Sequence, residues 1–201
     1  MSPDLLPSIL EIRRITQSLA MLDAILCPEW EYRYYSFNSG WGPGEEMASM
    51  RTGEGDDWFL LIDATGAAIK GFAHELADDL LLPQNIQAQV PPDFASFLSE
   101  PAFSMQQATF CYWRRTNDSS WSKVSSALTD DGSDDMLKLV VSDASAYKEW
   151  AEGYYEIPVS LNAVAALFSH QPLNDSVIRA LNPDAAVNSV YAEASEIGYP
   201  Y

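Results

Sequence analysis

The sequence predicts an α+β fold, and three stretches predict it: an amphipathic helix near the N-terminus, aromatic and aliphatic strands through the middle, and helical patterning over the last third. These read as a single domain: a helix over 5–27, a sheet-rich region over 29–141 and a helical region over 143–197. A chain of 201 residues suits one sizeable core, and no repeat, low-complexity segment or charge-rich linker divides it.

Between Leu5 and Leu26 the apolar residues Ile9, Ile12, Ile15, Leu19, Leu22 and Leu26 recur in steps of three and four, which places them on one helical face. Glu11, Arg14 and Gln17 fall on other faces, and Pro28 stops the helix. From Glu29 to Phe37 the period drops to two. Trp30, Tyr32 and Tyr34 share one side and Glu31, Arg33 and Tyr35 the other, which predicts a strand. Asn38 to Gly44, with three glycines, Trp41 and Pro43, reads as a loop, and Glu45 to Arg51 as a second strand. Trp58 to Ile62 and Ala67 to Phe72 are strands joined by the tight-turn sequence Asp63-Ala64-Thr65-Gly66, so an antiparallel meander follows. Pro83 and Pro91-Pro92 bracket a glutamine-rich connection. Asp93 to Ser99 predicts a short helix presenting Phe94, Phe97 and Leu98.

Thr109 to Arg115 returns to strand, and Leu137 to Val141 reads as another, with the acidic run around Gly132 as the turn between them. With Ser142 as N-cap, helices then cover Tyr147 to Tyr154, Val159 to Phe168 and Val177 to Leu181. A last one starts at Asn182-Pro183-Asp184 with Val187, Val190, Tyr191 and Ala194 inward.

Eleven Lys and Arg stand against twenty-nine Asp and Glu, a formal charge of −18. Phosphate contacts need clustered cations, so the charge excludes ordinary nucleic-acid or anionic-membrane binding and favours a basic protein partner. No segment resembles a secretory signal or reaches the roughly 20 apolar residues of a membrane helix, which predicts a cytoplasmic protein. Cys27 and Cys111 lack metal-ligand spacing and read as free buried thiols, although a pairing stays open.

Catalytic motifs are absent from the sequence, and neither a metal nor a cofactor is expected. His74-Glu75-Leu76-Ala77-Asp78 has Asp78 where a zinc-protease helix needs its second histidine. Around Gly132 a calcium loop would begin at Ala127 and end at Lys138, neither of which supplies the carboxylate required. Gly40-Trp41-Gly42-Pro43-Gly44 is followed by Glu45-Glu46, which would repel a phosphate. Arg114-Arg115 reads as structural ion pairing. A carboxylate-based hydrolase or a scaffolding subunit remain the alternatives to a binding protein.

Acids gather as Glu45-Glu46 with Glu54, Asp56 and Asp57, as Asp78-Asp79, and as Asp130 to Asp135. Aromatic anchors with a charged rim suit a protein interface. The partner-binding residues expected on this ground are Trp41, Glu45, Glu46, Asp56, Asp57, Asp130, Asp131, Asp134 and Asp135. Val90-Pro91-Pro92-Asp93-Phe94-Ala95-Ser96-Phe97-Leu98 resembles the Pro-x-[Asp/Glu]-[Phe/Tyr]-x-x-Phe-Leu helix start of the SUKH superfamily of bacterial immunity proteins. The resemblance implies an immunity protein that binds and neutralises a cognate toxin. The charge makes a basic, nuclease-like toxin the expected partner, because enzymes acting on anionic nucleic acid are commonly basic.

Overall fold

The computed structural model describes residues 1–79, 82–125 and 129–201, the side chains at 77–79, 82–84 and 87 excepted. The chain is α+β: a six-stranded antiparallel sheet in simple meander order, one long N-terminal helix, and a helical C-terminal third. The strands are β1 (Tyr35–Gly42), β2 (Glu45–Arg51), β3 (Asp57–Ile62), β4 (Gly66–Phe72), β5 (Phe110–Arg115) and the short β6 (Ser122–Lys123). Asp63 fixes the β3–β4 turn as expected, its Oδ1 accepting from the amides of Thr65 and Gly66.

Helix α1 (Ile9–Leu26) opens with a capping box, in which the Ser8 hydroxyl accepts from the Glu11 amide and the Glu11 carboxylate accepts from the Ser8 amide. It packs against β1, α6 (Leu161–Phe168) and α8 (Val187–Ile197), so it is buried on several faces rather than one. Gln17, expected away from the apolar face, is fully buried and donates to the carbonyls of Ile197 and Gly198. That position keeps its polarity because it ties α1 to the end of α8.

The sheet has two covered faces. Tyr35, Met50, Trp58, Leu60, Ile69 and Tyr112 turn toward α1 and the C-terminal helices. Met47, Phe59, Leu61, Ala68 and Cys111 face the connection between β4 and β5, where Phe94, Phe97 and Phe103 are buried. The Val90 to Leu98 segment therefore contributes core, through a 3-10 turn at Pro92–Phe94 and helix α3 (Ala95–Ser99) after α2 (Leu82–Gln89).

Several sequence expectations are corrected. Glu29 to Phe37 is not one strand: Trp30–Tyr32 is a 3-10 turn and β1 begins at Tyr35. The amides of Tyr34 and Tyr35 donate to the Asp23 carboxylate, and Arg33 bonds back to the carbonyls of Cys27 and Pro28. The Asp23 side chain thus takes amides that a longer strand would have offered a neighbour, and Arg33 holds the chain back toward the end of α1. Asn38 to Gly44 is largely strand with an irregular register between Asn38 and Gly42, turning only at Pro43-Gly44. Leu137 to Val141 is not a strand but a 3-10 stretch, Lys138–Val141, after the short α4 (Ser133–Met136).

The acidic run is accordingly a helix start and not a hairpin turn. Gly132 caps α4 with φ at +80°, and a Cβ there would lie 2.6 Å from that of Ala73. Asp143, not Ser142, caps α5 (Ala144–Tyr155), accepting from the amides of Ser145 and Ala146. Helix α7 (Asp175–Leu181) follows α6, and α8 starts at Val187, past the Asn182-Pro183-Asp184 turn.

Candidate functional site

The meander separates residues that the sequence reading grouped. Glu45 and Glu46 open β2 and Asp56 and Asp57 follow it, with Glu46 opposite Ile62 and Arg51 opposite Asp57. Five residues at roughly 3.4 Å each put about 17 Å between the two ends, so these acids form no single cluster. At the hairpin end, Trp41 folds onto the second core cluster, stacked on Phe103 at 6.4 Å between centroids. Glu46 is engaged by Arg13 of α1 through both carboxylate oxygens, at 2.5 and 2.6 Å. Glu45 is half-buried beside them.

The opposite end does gather Asp56, Asp57 and the 130–135 run, since Gly132 abuts Ala73 just beyond β4 and Thr109 donates to the Asp131 carbonyl. Most of these carboxylates already have internal partners. Asp57 pairs with Lys70, Asp131 with Lys123, Asp56 with His74, and Asp134 with the Met1 amino group. The hydrogen bond to Asp56 raises the His74 imidazole above its ordinary value. Burial opposes ionisation of Asp131, but Lys123 and Ser133 outweigh it and hold the carboxyl below the usual range. Asp130 accepts from the Gly132 amide and is exposed, as is Asp135. The side chains of Asp78 and Asp79, and Ala127 of the calcium-loop reading, lie outside the described residues.

What the structure assembles at this end is aromatic. Tyr34 touches Trp150 and Tyr154 of α5 at 4.8 and 5.2 Å between centroids, and Trp150 stacks on Tyr154 at 5.1 Å. Beside them Trp30 and Tyr32 stand on their 3-10 turn. Large rings are rarely left in water, yet Trp30 is 57% exposed, Tyr32 63% and Tyr154 42%. Two depressions share the Tyr34 ring. One, of about 180 Å³, lies between Trp30, Ser36, Ser49, Arg51 and Tyr154. The other, of about 330 Å³, is bounded by Asp135, Lys138, Glu149 and Trp150.

Acids and bases both line this surface: Glu31 with Arg33 and Arg51 on the first depression, Asp135 and Glu149 with Lys138 on the second. Glu54 and Asp56 lie close by; burial, then Tyr154, Asp56, Asp23 and Glu54, push the Tyr34 phenol up to about 12. Underneath, Asp23 fixes the face from α1. Its Oδ2 accepts from the Tyr35 amide at 2.7 Å and the Tyr34 amide at 3.0 Å, and its Oδ1 from the Tyr147 hydroxyl at 2.7 Å. Burial pushes its carboxyl up to about 6.

The sequence reading passed over Trp30, Tyr32, Trp150 and Tyr154 as strand or helix core. Two signals stood against that assignment. Glu29-Trp30-Glu31-Tyr32 alternates acid with aromatic directly after a proline, and Tyr154-Tyr155 are neighbours about 100° apart on a helix, so one packing face cannot take both.

A second polar cluster joins Tyr112, Lys123, Asp131 and Ser133. The Ser133 hydroxyl donates to Asp131 at 2.6 Å, while Tyr112 and Lys123 lie 3.0 and 3.3 Å from its oxygen. A Ser–Lys pair needs a neutral lysine to act as base. Burial disfavours the Lys123 charge, but the hydrogen bonds to Asp131 and Tyr112 outweigh it and hold the ammonium above its ordinary value. With Ser133 fully buried, the cluster works as a structural clasp. Cys27 and Cys111 are both buried free thiols, and burial pushes the Cys111 thiol far up. Among the described residues no helix is long and apolar enough to cross a membrane, and no group of three or more His, Cys, Asp or Glu is placed to hold a metal ion. Comparisons with protein-family models, with curated proteins and with solved structures find no match to this chain.

Proposed function

We propose that this chain is a non-catalytic binding protein that docks a basic protein on the aromatic, acid-rimmed face around Tyr34, and that it serves as an immunity protein neutralising a cognate toxin one to one. A single observation carries the docking half of the reading: three aromatics more than two-fifths exposed stand together, ringed by acids, on a chain of charge −18. Trp and Tyr are the residues that dominate binding energy when a partner covers them. The surrounding carboxylates steer a cationic surface and raise its association rate. The local resemblance of Val90 to Leu98 supports the toxin half, and a nuclease-like toxin would present the basic surface such a rim attracts. Asp130 and Asp135 extend the same acidic end. Trp41, Glu45 and Glu46 belong to the far end, where Trp41 packs on Phe103 and Glu46 pairs with Arg13.

The test is to sequence the genes flanking that of this chain and to co-express the chain in bacteria with any toxin domain found there; flanking genes that encode no toxin domain contradict the immunity reading. Wild-type protein is expected to restore growth and to form a one-to-one complex on light scattering. Truncating Trp30 or Tyr154 to Ala is expected to speed dissociation and cost about 2 kcal/mol. Reversing Glu31, Glu54 and Glu149 together is expected to slow association and flatten its salt dependence. Growth arrest that the wild-type protein does not relieve contradicts the immunity reading.

A further inference from the structure

The smaller depression on this face is lined by a cation, Arg51, that has no anion partner among the described residues. Arg51 closes β2, its guanidinium over the Trp30 ring at 5.4 Å and the Phe59 ring at 5.7 Å. Among the described residues it makes no ion pair and no side-chain hydrogen bond. Its neighbour Arg33 differs: that guanidinium is engaged by Glu193 and by the carbonyls of Cys27 and Pro28. At the floor, the hydroxyls of Ser36 and Ser49 lie 2.7 Å apart. One hydroxyl proton is used within that pair, which leaves the other free to donate upward.

A planar cation, a free hydroxyl donor and aromatic walls recognise a carboxylate, which a guanidinium can hold through two parallel hydrogen bonds. A cation in the same space would meet Arg51. The volume, about 180 Å³, is below the range of small-molecule sites and suits one side chain. We propose that this pocket takes a single Asp or Glu side chain presented by the partner protein, with Arg51 as its counter-charge. The proposal rests on the docking reading above and adds the chemistry of the contact. Glu31 at the rim and the −18 of the whole chain repel a free anion from a distance. A carboxylate carried on a basic surface arrives inside an attractive field, so the pocket selects that presentation over a dissolved small acid.

The experiment needs no cognate partner. Two capped peptides, Lys-Lys-Glu-Lys-Lys and Lys-Lys-Gln-Lys-Lys, and free benzoate are titrated into the full chain while the Trp30 indole N–H and the Ser36 and Ser49 amides are followed by NMR. The Glu peptide is expected to bind about tenfold more tightly than the Gln peptide, the size of a charge-assisted bond at a partly exposed site. Arg51→Gln is expected to abolish that difference, and Arg51→Lys to keep only part of it, since the charge stays and the fork is lost. Thermal melts of both variants check folding. Equal binding of the two peptides, or a difference that survives Arg51→Gln, overturns the proposal. Benzoate binding more tightly than the Glu peptide also overturns it, by making the pocket a small-acid site. If the peptides behave as expected and no toxin partner is found, the pocket stands and the immunity reading falls.

Discussion

At Asp23 a carboxylate from the last turns of α1 gathers the start of β1 and the core side of α5, through the amides of Tyr34 and Tyr35 and the hydroxyl of Tyr147. Tyr34 belongs to the aromatic face and Tyr147 lies one turn before Trp150 on α5, so the footing of that face is set by a group that never meets solvent. The arrangement carries a pH signature. Burial lifts the folded-state value to about 6, whereas the unfolded chain releases the proton near 3.8. Between these values the folded state binds more protons than the unfolded one, so this residue's contribution to stability falls as pH rises through the window. The full effect is on the order of 3 kcal/mol. Asp23→Asn keeps an amide oxygen for the backbone donors and removes the titration. The stability of Asp23→Asn relative to wild type is expected to improve as pH is raised from 4 to 7 in urea melts, and a pH-independent difference contradicts this account.

Between strands, the Asp57–Lys70 pair shows why a charge count misleads about binding surfaces. Lys70 on β4 is wholly buried, with Phe59 and Phe72 each 5.5 Å away, and Asp57 on β3 lies 2.7 Å from its ammonium. Burial lowers the lysine's value against the pull of Asp57. Removing only the acid strands a buried cation, so Asp57→Ala is expected to cost about 3 kcal/mol by chemical denaturation, and adding Lys70→Met to recover most of it. A single mutant as stable as wild type contradicts the structural role given to Asp57.

The same scale shows what the amino-acid pattern made legible. The meander from Glu45 to Phe72 was readable because the signals agreed: short, largely continuous apolar runs, short connections and an Asp-Ala-Thr-Gly turn. Trp30 to Tyr34 was misread because period two also arises when a turn presents alternate aromatics, and only the reach of Asp23 across from α1 decides between them. Leu137 to Val141 was misread because a short apolar run fits a strand or a helical turn equally well. For the candidate site, the acidic end around Asp56, Asp130 and Asp135 was within reach of the sequence. Its aromatic centre was only hinted at, by the acid–aromatic alternation after Pro28 and the Tyr154-Tyr155 pair, because exposure depends on which helix covers the sheet.

On the scale of the molecule, the net charge of −18 works through an uneven distribution. One sheet end binds its acids internally, as Arg13 does with Glu46, and keeps Trp41 against Phe103. The other end pairs Asp56, Asp57, Asp131 and Asp134 internally but keeps Glu31, Asp130, Asp135 and Glu149 in water around exposed rings. Long-range attraction and short-range apolar contact therefore coincide at one place, the combination that gives fast and lasting association. Hydrogen–deuterium exchange on the chain with and without the proposed toxin partner tests this most directly. The account predicts new protection over residues 29–36, 49–56 and 149–156. Protection confined to the hairpin at 38–46 and the core segment at 97–105 would contradict it.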